Sequence, residues 1–306
     1  MVIFDGRKFA LEKEILLKEK LSHIKGTDPK MGLKLSSILI GDNPESELYL
    51  KLKGKAAARM GIDFELVRFN EECEVDEVVE KIKRLNQDPK VKGIMVQLPL
   101  PEKWEVGSGK LEILGSIEPR KDVDCLTSEN LGLLMMGKPR FLPATVRAVL
   151  EILNVAQNKP LITNYQLLIT ERWLAGKNAC IIGASEIVGK PLVMVLSELG
   201  ATVTLCRSTT KNLAEFTKKA DILVSATGVP SLVKKDMVKK GAVVVDVGIS
   251  MSNVKCQMSN VRGDVQKNVA EVASFLTPVP GGVGPVTVVC LFENLLLASQ
   301  GNALRS

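Results

Sequence analysis

The sequence predicts a two-domain α/β protein, an N-terminal α/β domain followed by a doubly wound parallel-sheet domain. Three observations predict it. Apolar runs of strand length alternate with amphipathic runs of helix length through both halves. A glycine turn, GASEIVGKP, directly follows one such strand in the second half. The 306 residues, 45% hydrophobic and 25% charged, suffice for two cores with solvated surfaces.

In the first half, residues 11–24 read as an amphipathic helix and LKLSSILIG (33–41) as a buried strand ending in a glycine turn. Residues 46–60 read as a helix, DFELVRF as a strand and 75–86 as a helix. KGIMVQLPLP is a strand stopped by two prolines, which cannot donate to a ladder. The second half repeats the alternation. NACIIG (178–183) is a strand, PLVMVLSELG (191–200) a helix and ATVTLC a strand; NLAEFTKKA is a helix, DILVSATG a strand, VKKDMVKKG a helix and AVVVDVGI a strand. A helix over 285–300 closes the chain, and the junction of the halves falls near Pro139–Pro143. The resulting division is 1–142 plus 280–306 for one domain and 143–279 for the other.

Composition narrows the chemistry. The formal net charge is +6, but acids and lysines alternate, as in EKEILLKEK, which describes solvated helix faces and no nucleic-acid stripe. Aromatics are 4%, few for stacking bases. The single histidine, His23, lies near the end of the first helix beside Gly26 and reads as a surface residue. Ser-His-Asp catalysis and histidine metal sites therefore have no material, and acid/base work near pH 7 falls to a lysine, carboxylate, tyrosine or cysteine with a tuned pKa. The six cysteines (Cys73, Cys125, Cys180, Cys206, Cys256, Cys290) form no C-x-x-C pair; four lie in apolar settings, as buried thiols in a reducing compartment would. No metal site is expected. MVIFDGRKFA resembles neither a signal nor a transit peptide, and no apolar run is long enough to span a bilayer. A cytoplasmic protein with no membrane and no nucleic-acid partner is expected.

The glycine turn departs from G-x-G-x-x-G, yet its parts suit a phosphate cradle. Gly183 permits a tight turn, Ser185 can donate to phosphate and Gly189 allows close approach at a helix N-terminus. At the end of the next strand, where an acid would accept from the ribose of NAD, the chain has Cys206-Arg207-Ser208-Thr209-Thr210. A cation with hydroxyls there favours NADP, with NAD left open. Tyr49 and Lys53 stand four apart on one helix face, within S-x-x-Y-x-x-x-K. Gln97 opens QLPLP at a strand C-terminus, where parallel sheets build sites, and TPVPGGVGPVT (277–287) is a stiff loop feeding a helix.

Together GDNPESELYLKLKGKAA, KGIMVQLPLP, PRKDVDC, GASEIVGKP, ATGVP, VVDVGI, GDV and TPVPGGVGPVT resemble the bifunctional methylenetetrahydrofolate dehydrogenase/cyclohydrolase family, in order and spacing, from about residue 4 to residue 298. The resemblance implies NADP-dependent oxidation of 5,10-methylenetetrahydrofolate, hydrolysis of the methenyl product to 10-formyltetrahydrofolate, and a place in one-carbon metabolism and purine biosynthesis. It implies a homodimer with a folate cleft between a folate-binding domain and a Rossmann-like NAD(P)-binding domain. By the same resemblance Lys53 is catalytic, Tyr49 packs on the pterin, Gln97 sets the protonation of the lysine and Asp122 holds the polar pterin edge. Leu98, Pro280, Gly281 and Gly282 would line the folate site. Gly183, Ala184, Ser185, Ile187, Val188, Gly189, Arg207, Ser208, Thr227, Gly228, Val247, Gly248, Ile249 and Thr287 would line the cofactor site.

The chemistry agrees with these residue types. Loss of hydride from the methylene carbon leaves a resonance-stabilised cation, so alignment is the main requirement. A lysine active as a base at neutral pH must have its pKa of about 10.4 lowered by burial or neighbours.

Some positions depart from the family pattern. Cys125 stands where KDVD is usually followed by glycine, Ala184 where the turn often carries arginine, and Pro143-Ala144-Thr145-Val146-Arg147-Ala148 replaces P-C-T-P-x-G. Residues 158–173 form an extra segment without a functional reading, and the length leaves no room for an appended formyltetrahydrofolate synthetase domain. Three alternatives stay open: a monofunctional dehydrogenase, a folate- or nucleotide-binding homologue with reduced or lost turnover, and a hydroxy-acid dehydrogenase, which lacks its histidine.

Overall fold

The computed structural model describes residues 1–27, 33–105, 108–158, 172–251 and 261–301. The chain divides into two compact units, one of Leu11–Ala144 with Val288–Ser306 and the other of Met1–Ala10 with Thr145–Thr287. The first holds a three-stranded sheet and the second a six-stranded sheet. The chain opens with β1 (Val2–Ile3), a strand of the larger sheet, and α1 (Gly6–Thr27). Helix α1 starts earlier than the predicted residue 11 because Asp5 Oδ1 accepts from Lys8 N at 3.0 Å and caps its first turn. His23 is exposed on it.

The three-stranded unit continues with β2 (Lys34–Ile40), α2 (Pro44–Met60), β3 (Asp63–Phe69), α3 (Val75–Gln87) and β4 (Val91–Val96). Short helices α4 (Glu102–Glu105), α5 (Gly109–Gly115) and α6 (Ser128–Met135) follow. The sheet is parallel in the order β3-β2-β4. Central β2 is buried on both faces, which is why it reads as a continuous apolar run. Helix α2 begins where Asn43 accepts from Ser46 N and Pro44 occupies the first turn, and it ends at Gly61 with φ +68°. Helix α3 buries Val78, Val79, Ile82 and Leu85 along one face. Each such side chain contributes roughly 1.5–3 kcal/mol. The last ladder bond beside β4 runs from Gln97 N to Ile38 O, 2.8 Å, before the cis Leu98–Pro99 bond.

Helix α7 (Ala144–Ala156) leads into the six-stranded unit. The stretch 144–148, which lacks the second proline and the glycine of the usual pattern, forms its first turn. There follow β5 (Asn178–Ile182), α8 (Gly189–Glu198), β6 (Thr202–Cys206), α9 (Leu213–Thr217), β7 (Ile222–Ser225) and β8 (Val243–Asp246). The ladder of β9 (Ser250–Met251) with β10 (Val261–Arg262) is antiparallel. Then come β11 (Phe275–Leu276) and the terminal helix α10 (Val283–Ser299). The sheet order is β1-β11-β8-β7-β5-β6, parallel throughout. Strand order reverses at β5, with β6 on one side and β7 on the other, which opens a crevice at the strand C-termini.

Three expectations need correction. Residues 1–10 fall with the larger sheet, because Val2 and Ile3 pair with Phe275 and Leu276 and the Phe4 ring packs on Phe275 at 5.7 Å. The later divisions fall at 144/145 and 287/288, not at 142/143 and 279/280, so Pro280–Gly282 belong to the six-stranded unit. VKKDMVKKG forms only the 3-10 turn Lys235–Met237, since Val233 is held extended in a bridge to Val265 and Lys234 is extended too.

Cys125, Cys180, Cys206 and Cys290 are buried free thiols and Cys73 is half-buried; Cys256 and residues 159–171 of the extra segment lie outside the described residues. Among the described residues no helix is long and apolar enough to cross a membrane.

Candidate active site

Lys53 falls on the buried stripe of α2 with Ser46, Leu50 and Ala57, a place where a lysine is rarely found without a partner. Its side chain is 7% exposed, and Nζ donates to Gln97 Oε1 at 3.0 Å and to Met95 Sδ at 3.6 Å. Gln97 comes from the end of β4, and its Nε2 donates to Leu98 O at 2.9 Å, which turns the amide oxygen toward the lysine. Ser46 Oγ donates to the same carbonyl at 3.4 Å. Burial pushes the Lys53 pKa down, and the charge of Asp124 opposes that shift. Tyr49, one turn before, is half-buried; burial, and then Glu45, push its phenol up to about 12. Its ring and hydroxyl are therefore neutral at pH 7.

Asp122 does not present its carboxylate to a ligand. It is 1% exposed; Oδ1 accepts from Leu126 N at 3.1 Å, and Oδ2 from Thr127 N and Asn130 Nδ2, both at 2.8 Å. Those bonds set the turn into α6. Asp124, partly exposed, is the carboxylate whose field reaches Lys53. Burial raises its pKa, against the pull of Lys53 and a hydrogen bond from the Ala144 backbone. K-D-V-D offers two acids two residues apart, and the spacing alone does not choose between them. The cap-forming Thr127-x-x-Asn130 that follows is the signal that ties the first acid to the fold. Cys125 adopts φ +59°, the left-handed region that glycine would occupy at less cost, and its buried Sγ donates to Phe141 O at 3.3 Å.

The six-stranded unit carries the residues of the predicted cofactor site other than Thr287 at the C-terminal ends of β5–β8. Gly183 N donates to Cys206 O (2.9 Å), Ala226 N to Ile182 O (2.8 Å) and Val247 N to Ser225 O (2.8 Å), so the four following loops lie side by side. The turn Gly183–Ala184–Ser185–Glu186–Ile187–Val188–Gly189 closes so tightly that a Cβ on Gly183 would strike the Ala226 carbonyl and one on Gly189 the Gly183 carbonyl. Ser185 Oγ accepts from Val188 N at 3.2 Å and Gly189 N at 3.3 Å, and keeps its own proton to donate. A compact backbone turn at the start of α8 fits a pyrophosphate. Arg207 is exposed in the adjoining loop, where its N donates to Thr210 Oγ1 and Thr210 N to its carbonyl, both at 2.9 Å; Ser208 is exposed beside it.

Asp264 was not among the expected site residues. Its fully buried Oδ2 accepts from Ser225 Oγ (2.7 Å), Thr227 N and Thr227 Oγ1 (both 2.8 Å), and so holds the loop of Thr227 and Gly228. Its carboxylate fills the space a Cβ on Gly248 would need, and Gly228, at φ +70°, passes close to Ile249 O. Asp246 accepts from Asp264 N (3.1 Å) and Val265 N (2.9 Å). The motifs VVDVGI and GDV carry these acids, but nothing in their spacing shows that they interlock.

Pro280–Gly282 and Thr287 lie in the six-stranded unit, apart in the chain division from Lys53 and Gln97. A Cβ on Gly281, at φ +102°, would approach the Arg7 side chain, and Thr287 Oγ1 donates to Val283 O at 3.2 Å within α10.

Two family models match successive parts of the chain. Residues 4–124 match the catalytic domain of tetrahydrofolate dehydrogenase/cyclohydrolase, and residues 161–303 its NAD(P)-binding domain. The chain is 40% identical over 300 residues to a bifunctional protein FolD of Exiguobacterium sibiricum, covering 98% of this chain and 99% of that one. A crystal structure of the bifunctional methylenetetrahydrofolate dehydrogenase/cyclohydrolase from Campylobacter jejuni superposes with a TM-score of 0.85 at 38% identity, over 98% and 99% of the two chains. The Trypanosoma brucei enzyme, solved with NADP cofactor and inhibitor, gives 0.88 at 33% identity over 99% of each. With a buried lysine–glutamine pair on one unit, a glycine turn on the other and these matches along nearly its whole length, the chain belongs to the tetrahydrofolate dehydrogenase/cyclohydrolase family.

Proposed function

We propose that the chain catalyses both reactions for which its family is named, oxidising 5,10-methylenetetrahydrofolate with NADP and hydrolysing the methenyl product to 10-formyltetrahydrofolate. The observation that carries this reading is the buried Lys53 amine, 3.0 Å from Gln97 Oε1 and held less basic than an ordinary lysine. The pterin stacks on Tyr49, and Asp124, in place of Asp122, accepts from its aminopyrimidine edge.

Oxidation removes a hydride from the methylene carbon, and the residues of the three-stranded unit serve to hold that carbon still. A bound nicotinamide supplies the hydride acceptor. Gly183–Gly189 and Ser185 would hold the pyrophosphate of the dinucleotide, while Arg207 and Ser208 would take the 2′-phosphate in the absence of an arginine at Ala184. In hydrolysis, neutral Lys53 accepts a proton from water as its oxygen bonds to the methenyl carbon. The lysine returns that proton to the ring nitrogen as the carbon–nitrogen bond breaks. The carbinol proton leaves to solvent as the formyl carbonyl forms, so one proton is released per turnover. Gln97 accepts from the amine throughout and keeps its lone pair aimed.

We place the enzyme in the cytoplasm as a homodimer, a supplier of formyl groups for purine biosynthesis. The test is absorbance at the methenyl and reduced-nicotinamide bands with purified protein, methylenetetrahydrofolate and either NADP or NAD. Reduction with NADP and transient methenyl are expected; no folate-dependent reduction with either cofactor sinks the reading. Lys53→Met should lower methenyl hydrolysis by about 10²-fold or more while NADP binding persists.

A further inference from the structure

The terminal helix α10 sends one buried amide into the segment that carries Asp124. Asn294 is fully buried, and its Nδ2 donates to Val123 O and to Leu142 O, both at 2.8 Å. Val123 immediately precedes Asp124. Leu142 lies two residues before Ala144, whose backbone hydrogen-bonds the Asp124 carboxylate. A single planar group therefore spans the two strands of chain between which Asp124 is held. Other ties flank Asp124: Cys125 N donates to Asp122 O at 3.2 Å, and Cys125 Sγ reaches the second segment at Phe141 O, 3.3 Å. Ile94 N donates to Lys121 O at 2.7 Å, and the Asp122 carboxylate binds Leu126 N and Thr127 N. Packing adds to the fit: β4 has no side chain at Gly93, where a Cβ would overlap both Val123 and Leu295, the neighbour of Asn294.

We propose that Asn294 is a positioning residue for the Lys53 site, fixing through Val123 O and Leu142 O the place from which Asp124 acts on the lysine. The proposal deepens the folate reading and rests on it for its catalytic consequence. No substitute does the same work. Leucine would leave two buried carbonyls without donors, and aspartate would set an acceptor against two acceptors. Serine keeps one donor and lets the two segments drift. Asp124 is the charged group that shifts Lys53, and Asp122, behind it, acts on Asp124; Gln97 and Met95 face the amine as neutral partners.

The test reads Lys53 directly, by pH titration of its side-chain carbon resonance in isotopically labelled full-length protein, assigned by its loss in Lys53→Met. Asn294→Ser should lower the Lys53 midpoint by about half a unit, and Asp124→Asn by more, since each weakens an attraction that favours the charged amine. The double variant should titrate no lower than Asp124→Asn alone, because Asn294 acts through that carboxylate. Wild-type titration in Asn294→Ser overturns the proposal, as does an equal extra drop in the Asp124→Asn background. If Asn294→Ser fails to fold, Asn294→Thr, which likewise keeps a single donor but fills more of the space, is read by the same criterion. The pH profile of methenyl hydrolysis, measured on the same samples, should move with the titration. Absent hydrolysis in the wild type would refute the folate reading while leaving the titration result to stand or fall by itself.

Discussion

Lys53 Nζ and Gln97 Oε1 meet at 3.0 Å, and the Gln97 amide is fixed with its oxygen toward the lysine because its nitrogen is committed to Leu98 O at 2.9 Å. The amine thus has a neutral acceptor, which orients it without adding charge. Gln97→Glu would keep the shape and place a carboxylate at hydrogen-bond distance. Opposite charge favours the ammonium form, so the Lys53 pKa should rise by about one unit or more. If neutral Lys53 is the base, the rising limb of methenyl hydrolysis against pH should move upward by the same amount. An unmoved limb in that variant would show that the rate does not depend on the protonation of this lysine.

The two acids of the loop should separate cleanly. Asp122→Asn keeps one acceptor oxygen of two and sets an NH2 against at least one of the donors Leu126 N, Thr127 N and Asn130 Nδ2, so it should lower stability by about 1–3 kcal/mol in urea unfolding, whatever the substrate. Asp124→Asn should leave the unfolding midpoint nearly unchanged and impair folate turnover instead. The reverse outcome would return the ligand-facing role to Asp122.

Arg207 stands in the loop beside Gly183, through the Gly183 N to Cys206 O bond, while Ala184 contributes only a methyl group. Arg207→Ala should weaken NADP binding about tenfold or more and leave NAD binding within about twofold, since a single cation–phosphate contact is worth about 1.5–3 kcal/mol. Calorimetric titration of both nucleotides checks it. Equal losses for the two would assign Arg207 to a group they share.

Much of this was legible in the sequence for physical reasons. Strands β2 and β7 read as apolar runs because parallel strands inside a sheet are covered on both faces, and α2 lies within two residues of the helix read over 46–60. Lys53 and Gln97 could be named as partners only through the resemblance; the 3.0 Å contact is tertiary. What stayed hidden depends on pairing between distant residues. The two residues of β1 are too short a pattern to reveal that they join Phe275 and Leu276. Local helix preference in VKKDMVKKG lost to the bridge between Val233 and Val265. Asp122 and Asp124 look alike until the donors around Asp122 are seen, and Asn294 reads as one polar residue on an apolar helix until Val123 and Leu142 are placed against it.

The interlocked acids of the six-stranded unit give a pH dependence of opposite sign to that of most carboxylates. Burial pushes Asp246 from an ordinary 3.8 up to about 7, opposed by N–H groups of Val265, Asp264 and Gly248 and reinforced by the Asp264 charge. A folded-state pKa above the unfolded one means that the folded protein binds more protons between pH 4 and 7. This group's contribution is therefore fully present below about pH 4 and is lost as pH rises through about 7. The shift corresponds to an upper bound of about 4 kcal/mol. Between pH 5 and 8 the wild type should lose stability relative to Asp246→Asn, whose neutral amide cannot titrate. Asparagine will cost some stability at every pH, because its NH2 meets backbone donors. The comparison is accordingly between slopes: thermal unfolding at stepped pH should show the wild-type curve falling more steeply toward pH 8. Parallel curves for the two proteins would mean that Asp246 is already ionised at the acid end of that range, with its backbone donors outweighing burial.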